Sequence, residues 1–160
     1  MGVGQKIRTF LWFDNNAEEA IDFYVSVFKN ARVGTIMRCG NEGPWPKGTV
    51  LTINFELDGQ EFIAMNGGPQ YKFTEAISLF VTCETQEEID DYWDRLGDGG
   101  APIACGWLKD KFGLCWQIVP HGLLEMLQDE DTARADRVMR AMRQMIKLDI
   151  ATLRQAYEQT

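Results

Sequence analysis

The sequence predicts an α+β fold: two tandem βαβββ-type modules, each a strand–helix–strand–strand–strand unit forming a curved mixed sheet, followed by C-terminal helices. Three observations lead there. Apolar runs of strand length alternate with helix-period stripes in the same order twice over. Each helix is announced by a polar cap with Glu three residues on. The last forty residues carry only helical periodicity.

The elements follow in order. Residues 6–13 (KIRTFLWF) read as a buried strand. Asn16-Ala-Glu-Glu19 reads as a capping box, and Ala20, Ile21, Tyr24, Val27 and Phe28 form the apolar stripe of a helix over 17–28. Strands are expected at 31–39, 49–57 and 60–66. The Gly/Pro-rich loop 40–48 interrupts them, and Asp58-Gly59 marks a hairpin turn. Residues 77–83 (ISLFVTC) start the pattern again, with Thr85-Gln-Glu-Glu88 as a second capping box and Ile89, Tyr92, Trp93 and Leu96 as a second stripe stopped by Gly97. A strand pair around 103–109 and 113–119 closes the second unit through a turn at Asp110–Gly113.

An offset of 69 maps Asn16 to Thr85, Glu19 to Glu88, Phe23 to Tyr92 and Thr9 to Ser78, and an offset of 54 maps Phe62 to Trp116. This agreement of order, caps and aromatics points to a duplicated module. The second copy is shorter, so its first strand after the helix is expected to be reduced or lost. The organisation expected is a 1–120 domain of two modules, about 6–66 and 76–120, with a helical extension at 121–160. In that extension Val138, Met139, Met142, Met145 and Ile146 share a helical face from about Asp131, and Asp149 caps a shorter helix carrying Ile150, Leu153 and Tyr157.

Composition narrows function. The 160 residues hold 16 Lys+Arg against 24 Asp+Glu, a net charge of −8. That balance argues against nucleic acid, whose backbone needs a basic surface, and against an anionic membrane. No apolar run approaches the roughly 20 residues that span a bilayer. Cys39, Cys83, Cys105 and Cys115 form no CxxC pair and read as reduced thiols of a cytoplasmic protein. His121 is the single histidine, which removes any one-chain site built on several imidazoles.

The segments TFLWFDNNAEEAIDFYVSVFKNA, FELDGQEFIAMNGGP, FTEAISLFVTCETQEEIDDYWDRL and CGWLKDKFGLCWQIVP resemble the PhnB-like proteins. These often carry a demethylubiquinone methyltransferase-like label and belong to the vicinal-oxygen-chelate (glyoxalase/bleomycin-resistance) superfamily. The resemblance implies curved sheets around a small-molecule cavity and a homodimer. It also implies metal-ligand positions at Thr9, Ile63, Ser78 and Gln117. Only Gln117 is a usual ligand there; Ile63 has no donor, and neutral hydroxyls hold divalent transition metals weakly. No metal and no cofactor are therefore expected. The first strand–helix junction, Asp14-Asn15-Asn16, also lacks the glycines of a nucleotide-cofactor turn.

With Thr9 set facing the cavity, strand alternation places Leu11 and Phe13 beside it and sends Phe10 and Trp12 under the helix. The same logic turns Glu61, Ile63 and Met65, then Ser78, Phe80 and Thr82, then Cys115, Gln117 and Val119 inward. Cys105 and Trp107 share a strand face at the mouth, and Asn66 reaches the rim. The expected ligand contacts are thus Thr9, Leu11, Glu61, Ile63, Asn66, Ser78, Phe80, Cys105, Trp107, Cys115 and Gln117. The function expected is metal-free binding of an apolar or aromatic small molecule; the alternative is an enzyme in the same pocket, a metal-dependent isomerase or lyase or a methyltransferase. No catalytic residue is assigned.

Overall fold

A computed structural model describes residues 4–159. The chain divides into two compact units, Met1–Phe73 and Thr74–Thr160. The first runs β1 (Thr9–Phe13), α1 (Ala17–Val27), β2 (Ala31–Arg38), β3 (Val50–Leu57) and β4 (Gln60–Asn66). Its sheet has the order β1-β4-β3-β2, with β1 parallel to β4 and the other pairs antiparallel. Asp58 and Gly59, with φ of 47° and 81°, join β3 to β4. Two successive positive φ values define the hairpin turn whose twist suits the flanking strands, as the Asp-Gly pair predicts.

One face of this sheet packs on α1. Ala17, Ala20, Ile21, Tyr24 and Val27 come from the helix, and Leu11, Phe13, Ile53, Phe55, Phe62 and Ala64 come from the strands, all buried. Tyr24 stacks on Phe55 and Phe55 on Phe62, with centroids 6.4 and 5.0 Å apart. Each such burial is worth about 1.5–3 kcal/mol.

The second unit repeats the plan with β5 (Ser78–Cys83), α2 (Gln86–Gly97), β6 (Ala101–Pro102), β7 (Trp107–Lys109) and β8 (Cys115–Pro120). Its order is β5-β8-β7-β6, with β5 parallel to β8. β6 is the reduced strand: two residues where β2 has eight. The cap of α2 forms as predicted, with the Glu88 N–H donating to Thr85 Oγ1 at 3.2 Å and the Glu84 N–H to Glu88 Oε2 at 2.8 Å. Ile89 and Leu96 bury against this unit's core of Cys83, Leu108, Trp116 and Ile118.

The tail adds α3 (Leu123–Leu127), which periodicity did not reveal, α4 (Thr132–Arg143) and α5 (Ile150–Glu158). Asp131 and Asp149 cap α4 and α5 through their carboxylates. α4 ends before Met145 and Ile146, so the predicted stripe is cut short; Met139 and Ile146 are exposed. Val138, Leu148 and Leu153 pack on Val119 and Leu123. The Gln86 side chain fastens the 148–150 segment by donating to Leu148 O at 3.1 Å and accepting from the Ile150 N–H at 2.8 Å. Among the described residues no helix is long and apolar enough to cross a membrane.

Candidate functional site

Strand register decides which side chains lie on each sheet's open face. In the first unit Thr9 pairs with Phe62, Leu11 with Ala64 and Phe13 with Asn66, so these share the face packed on α1. Leu11 is only 4% exposed. The strand is thus turned the other way from the sequence expectation. Thr9 and Leu11 lie on the helix side, while Phe10 and Trp12 lie on the open face opposite Ile63 and Met65. Phe10 is 51% exposed.

The cause is a one-residue difference. Residues 14–16 separate β1 from α1, but only 84–85 separate β5 from α2. The helices repeat at offset 69 and the strands at 70, so Phe10 is the counterpart of Phe80. A single-residue slip exchanges the two faces of a strand.

Glu61 and Ile63 take the open face as expected, with Glu61 accepting from the Gln5 N–H at 3.3 Å. Asn66 does not reach a rim. It is 5% exposed. Its Oδ1 accepts from the Ala17 N–H at 2.9 Å, and its Nδ2 donates to Glu18 Oε1 and Val50 O at 2.7 and 3.0 Å. Asn66 thus caps α1, because the side chain of Asn16 makes no cap bond. Beyond it, the Gly67–Gly68 turn lies under Trp12: a Cβ on Gly67 would stand 2.3 Å from the indole. The Trp12 Nε1–H donates to Gly68 O at 2.9 Å, and Tyr71 meets the indole edge-on at 4.9 Å.

On the second sheet the strand alternation is the expected one, but Val119, expected to face the cavity, is covered by the tail, where it packs with Leu123, Val138, Leu148 and Leu153. Ser78 pairs with Cys115 and Phe80 with Gln117, and Trp107 stands on the far side of Gln117. The Gln117 Nε2–H donates to Ser78 Oγ at 2.9 Å. Phe80 is 46% exposed, whereas Cys115 is fully buried. Burial pushes the Cys115 thiol up, and Lys109 offsets this only in part. So Ser78, Phe80, Trp107, Cys115 and Gln117 are brought together on one sheet, and Glu61 and Ile63 on the other.

Cys105 is not on a strand. It occupies a turn before β7 with φ 56°, next to Gly106 at 85°, and the two N–H groups donate to Met145 O and Ile146 O at 2.9 and 2.8 Å. The turn thus meets the tail, and Cys105 does not share a strand face with Trp107. Sequence reasoning missed Asp110, which is 2% exposed. Its carboxylate accepts from the Phe112 and Leu114 N–H groups and, at 2.9 Å, from Trp116 Nε1–H. The Asp-x-x-Gly turn was the available signal; its burial under Trp116 left none. His121 is exposed beside Glu84, at 3.9 Å.

Two four-stranded mixed sheets, each with a helix on one face, have the strand plan of the glyoxalase/bleomycin-resistance fold. A family model described as 3-demethylubiquinone-9 3-methyltransferase matches residues 5–119, and the chain belongs to this PhnB-like family. It is 41% identical to a PhnB protein from Bacillus cereus that carries a provisional 3-demethylubiquinone-9 3-methyltransferase label. That match has a TM-score of 0.66 and covers 72% of this chain and 99% of that one. Protein PA1353 from Pseudomonas aeruginosa is 17% identical with a TM-score of 0.62, covering 73% and 98%. The fosfomycin resistance protein FosX from Listeria monocytogenes, in complex with Mn(II) and sulfate, is 15% identical with a TM-score of 0.54, covering 79% and 98%. The last two show the fold alone. No curated protein matches the chain.

The residues do not fit the metal of the wider superfamily. Of the four positions implied, Ile63 is a hydrocarbon, Ser78 and Gln117 are neutral and hydrogen-bonded to each other, and Thr9 lies on the helix face; at the strand offset of 70 the counterpart of Ser78 is Arg8, a cation and no metal ligand. Among the described residues no three His, Cys, Asp or Glu groups stand together as a ligand set. Nor do the strand–helix junctions fit a nucleotide-type methyl donor taken at a glycine turn. Residues 14–16 and 84–85 include no glycine, and both helices begin with paired glutamates, Glu18-Glu19 and Glu87-Glu88.

Proposed function

We propose that this protein binds an apolar or aromatic small molecule without a metal, using the open faces of its sheets. The observation that carries the reading is the composition of those faces. Phe10 and Phe80 stand 51% and 46% exposed beside a few polar groups, Glu61 on one sheet and the Ser78–Gln117 pair on the other. Large apolar side chains beside sparse polar handles make a small-molecule surface. Native mass spectrometry of protein drawn from cell extract tests this. A co-purifying organic mass that is lost in the Phe10→Ser/Phe80→Ser variant supports the reading; the same mass retained in that variant contradicts it.

The family label supports a second reading, a methyltransferase. Calorimetry with S-adenosylmethionine decides between them, and saturable micromolar binding would favour the enzyme. We further propose a homodimer. Strand β2 is an edge strand with Val33, Ile36 and Met37 exposed, which supports association. Light scattering should give twice the chain mass of 18.2 kDa. The four free thiols support a reducing compartment such as the cytoplasm.

A further inference from the structure

The open face of the first sheet has a polar end that none of the expected contacts except Glu61 describes. Between its pairs Val33–Phe55 and Ile36–Ile53, β2 carries a bulge, so Gly34 and Thr35 both stand against Asn54. A Cβ on Gly34 would lie 3.2 Å from Asn54 O, so glycine allows the close approach. Bulges re-aim side chains, often beside functional sites. Here the bulge borders a cavity of about 180 Å³ lined by Arg8, Arg32, Thr35, Asn54, Glu56 and Glu61 among others.

The charges in this cavity are unequally matched. Arg32 is paired with Glu56 at 2.7 Å. Glu61 accepts from the Gln5 N–H. The Arg8 guanidinium, the Thr35 hydroxyl and the Asn54 amide make no hydrogen bond or ion pair among the described residues. Three side chains with donor groups unpartnered among the described residues therefore line a space sized for a head group, below the roughly 300 Å³ of a whole-ligand pocket. Phe10, two residues along from Arg8, begins the apolar floor of the same face.

We propose that this cavity takes the oxyanion head of the ligand, with Arg8 as its counter-charge and Thr35 and Asn54 as neutral donors. Glu61 on the same cavity wall accepts from a hydroxyl or N–H next to that oxyanion. The ligand class is then an aromatic or apolar acid with an adjacent donor, its body lying over Phe10. This rests on the reading of the open faces as the binding surface.

The test uses two fluorescent probes. 1-Anilinonaphthalene-8-sulfonate carries an oxyanion beside an N–H; N-phenyl-1-naphthylamine is the same body without the sulfonate. Arg8→Gln should weaken the sulfonate probe about tenfold, the scale of one charge-assisted bond, and leave the neutral probe within about twofold. Arg8→Lys should fall between. Arg154→Gln, a charge removed from α5, should leave both within about twofold. Equal loss of both probes in Arg8→Gln, no loss of the sulfonate probe, or an equal loss in Arg154→Gln overturns the assignment of Arg8. If the wild-type protein binds neither probe, the binding-surface reading falls with it.

Discussion

Gln117 donates to the Ser78 hydroxyl at 2.9 Å, so the two polar side chains at the superfamily's metal positions on the second sheet satisfy each other. The bond crosses the parallel β5–β8 pair on the open face, where Ser78 stands opposite Cys115. A double-mutant cycle with Ser78→Ala and Gln117→Ala, followed by urea unfolding, should give a coupling of about 0.5–1.5 kcal/mol. A coupling near zero would mean that the two groups are held for some other partner.

The cap of α1 comes from a residue fifty positions on in the chain, and substitution separates it from the local candidate. Asn66→Ala removes three side-chain bonds, two of them buried, and should cost about 2–4 kcal/mol. Thr85→Ala should cost about 1 kcal/mol, the usual value of a formed cap. Asn16→Ala should stay within about 0.5 kcal/mol, since Asn16 makes no cap bond. Chemical denaturation of the three variants checks the order; Asn16→Ala as the costliest would reverse the account.

These residues also show how far the sequence carries. Both helices, the Asp58-Gly59 turn, the duplicated plan and the shortened β6 were legible because each leaves a local mark in spacing or turn chemistry. The faces of β5, β4 and β8 followed from alternation. The face of β1 did not, because it was carried across from the second copy over a junction that differs by one residue, and nothing local marks that difference. Asn66 and Asp110 escaped for a different reason. Their partners, Ala17 and Trp116, are chosen by tertiary contact, and an Asn or Asp beside a glycine turn reads as solvent-facing.

The tail should be the acid-labile part of the second unit. The Thr152 hydroxyl and N–H lower the Asp149 carboxyl, Lys147 and then Gln86 lower Asp90, and the Tyr157 hydroxyl lowers Asp129, all from an ordinary value of 3.8. A depressed carboxyl pKa stabilises the folded state above the unfolded value and loses that contribution as pH falls through the folded one. Amide protection factors, corrected for intrinsic exchange, should therefore fall in α4 and α5 below about pH 3.8, ahead of α1. The effect is small, because these groups are exposed and screened. Loss of α1 protection before α5 would contradict the assignment.

Alkaline pH acts through Cys83. Burial pushes this thiol from 9.0 up to about 12, so the folded state keeps a proton that the unfolded chain releases. Stability should fall as pH rises from 9.0 toward about 12. Thermal melts across that range should fall less steeply for Cys83→Ala than for the wild type. Parallel slopes would show that other groups set the alkaline limit.

Where the superfamily's metal positions fall, this chain carries the hydrocarbon Ile63, the mutually bonded Ser78 and Gln117 and the cation Arg8, and the role proposed for the open faces is to bind an organic ligand without a metal. Equilibrium dialysis against Mn(II), read by elemental analysis per chain, tests it most directly. Retention should be indistinguishable from that of Gln117→Ala and far below one equivalent. One equivalent retained by the wild type and lost in Gln117→Ala would contradict it.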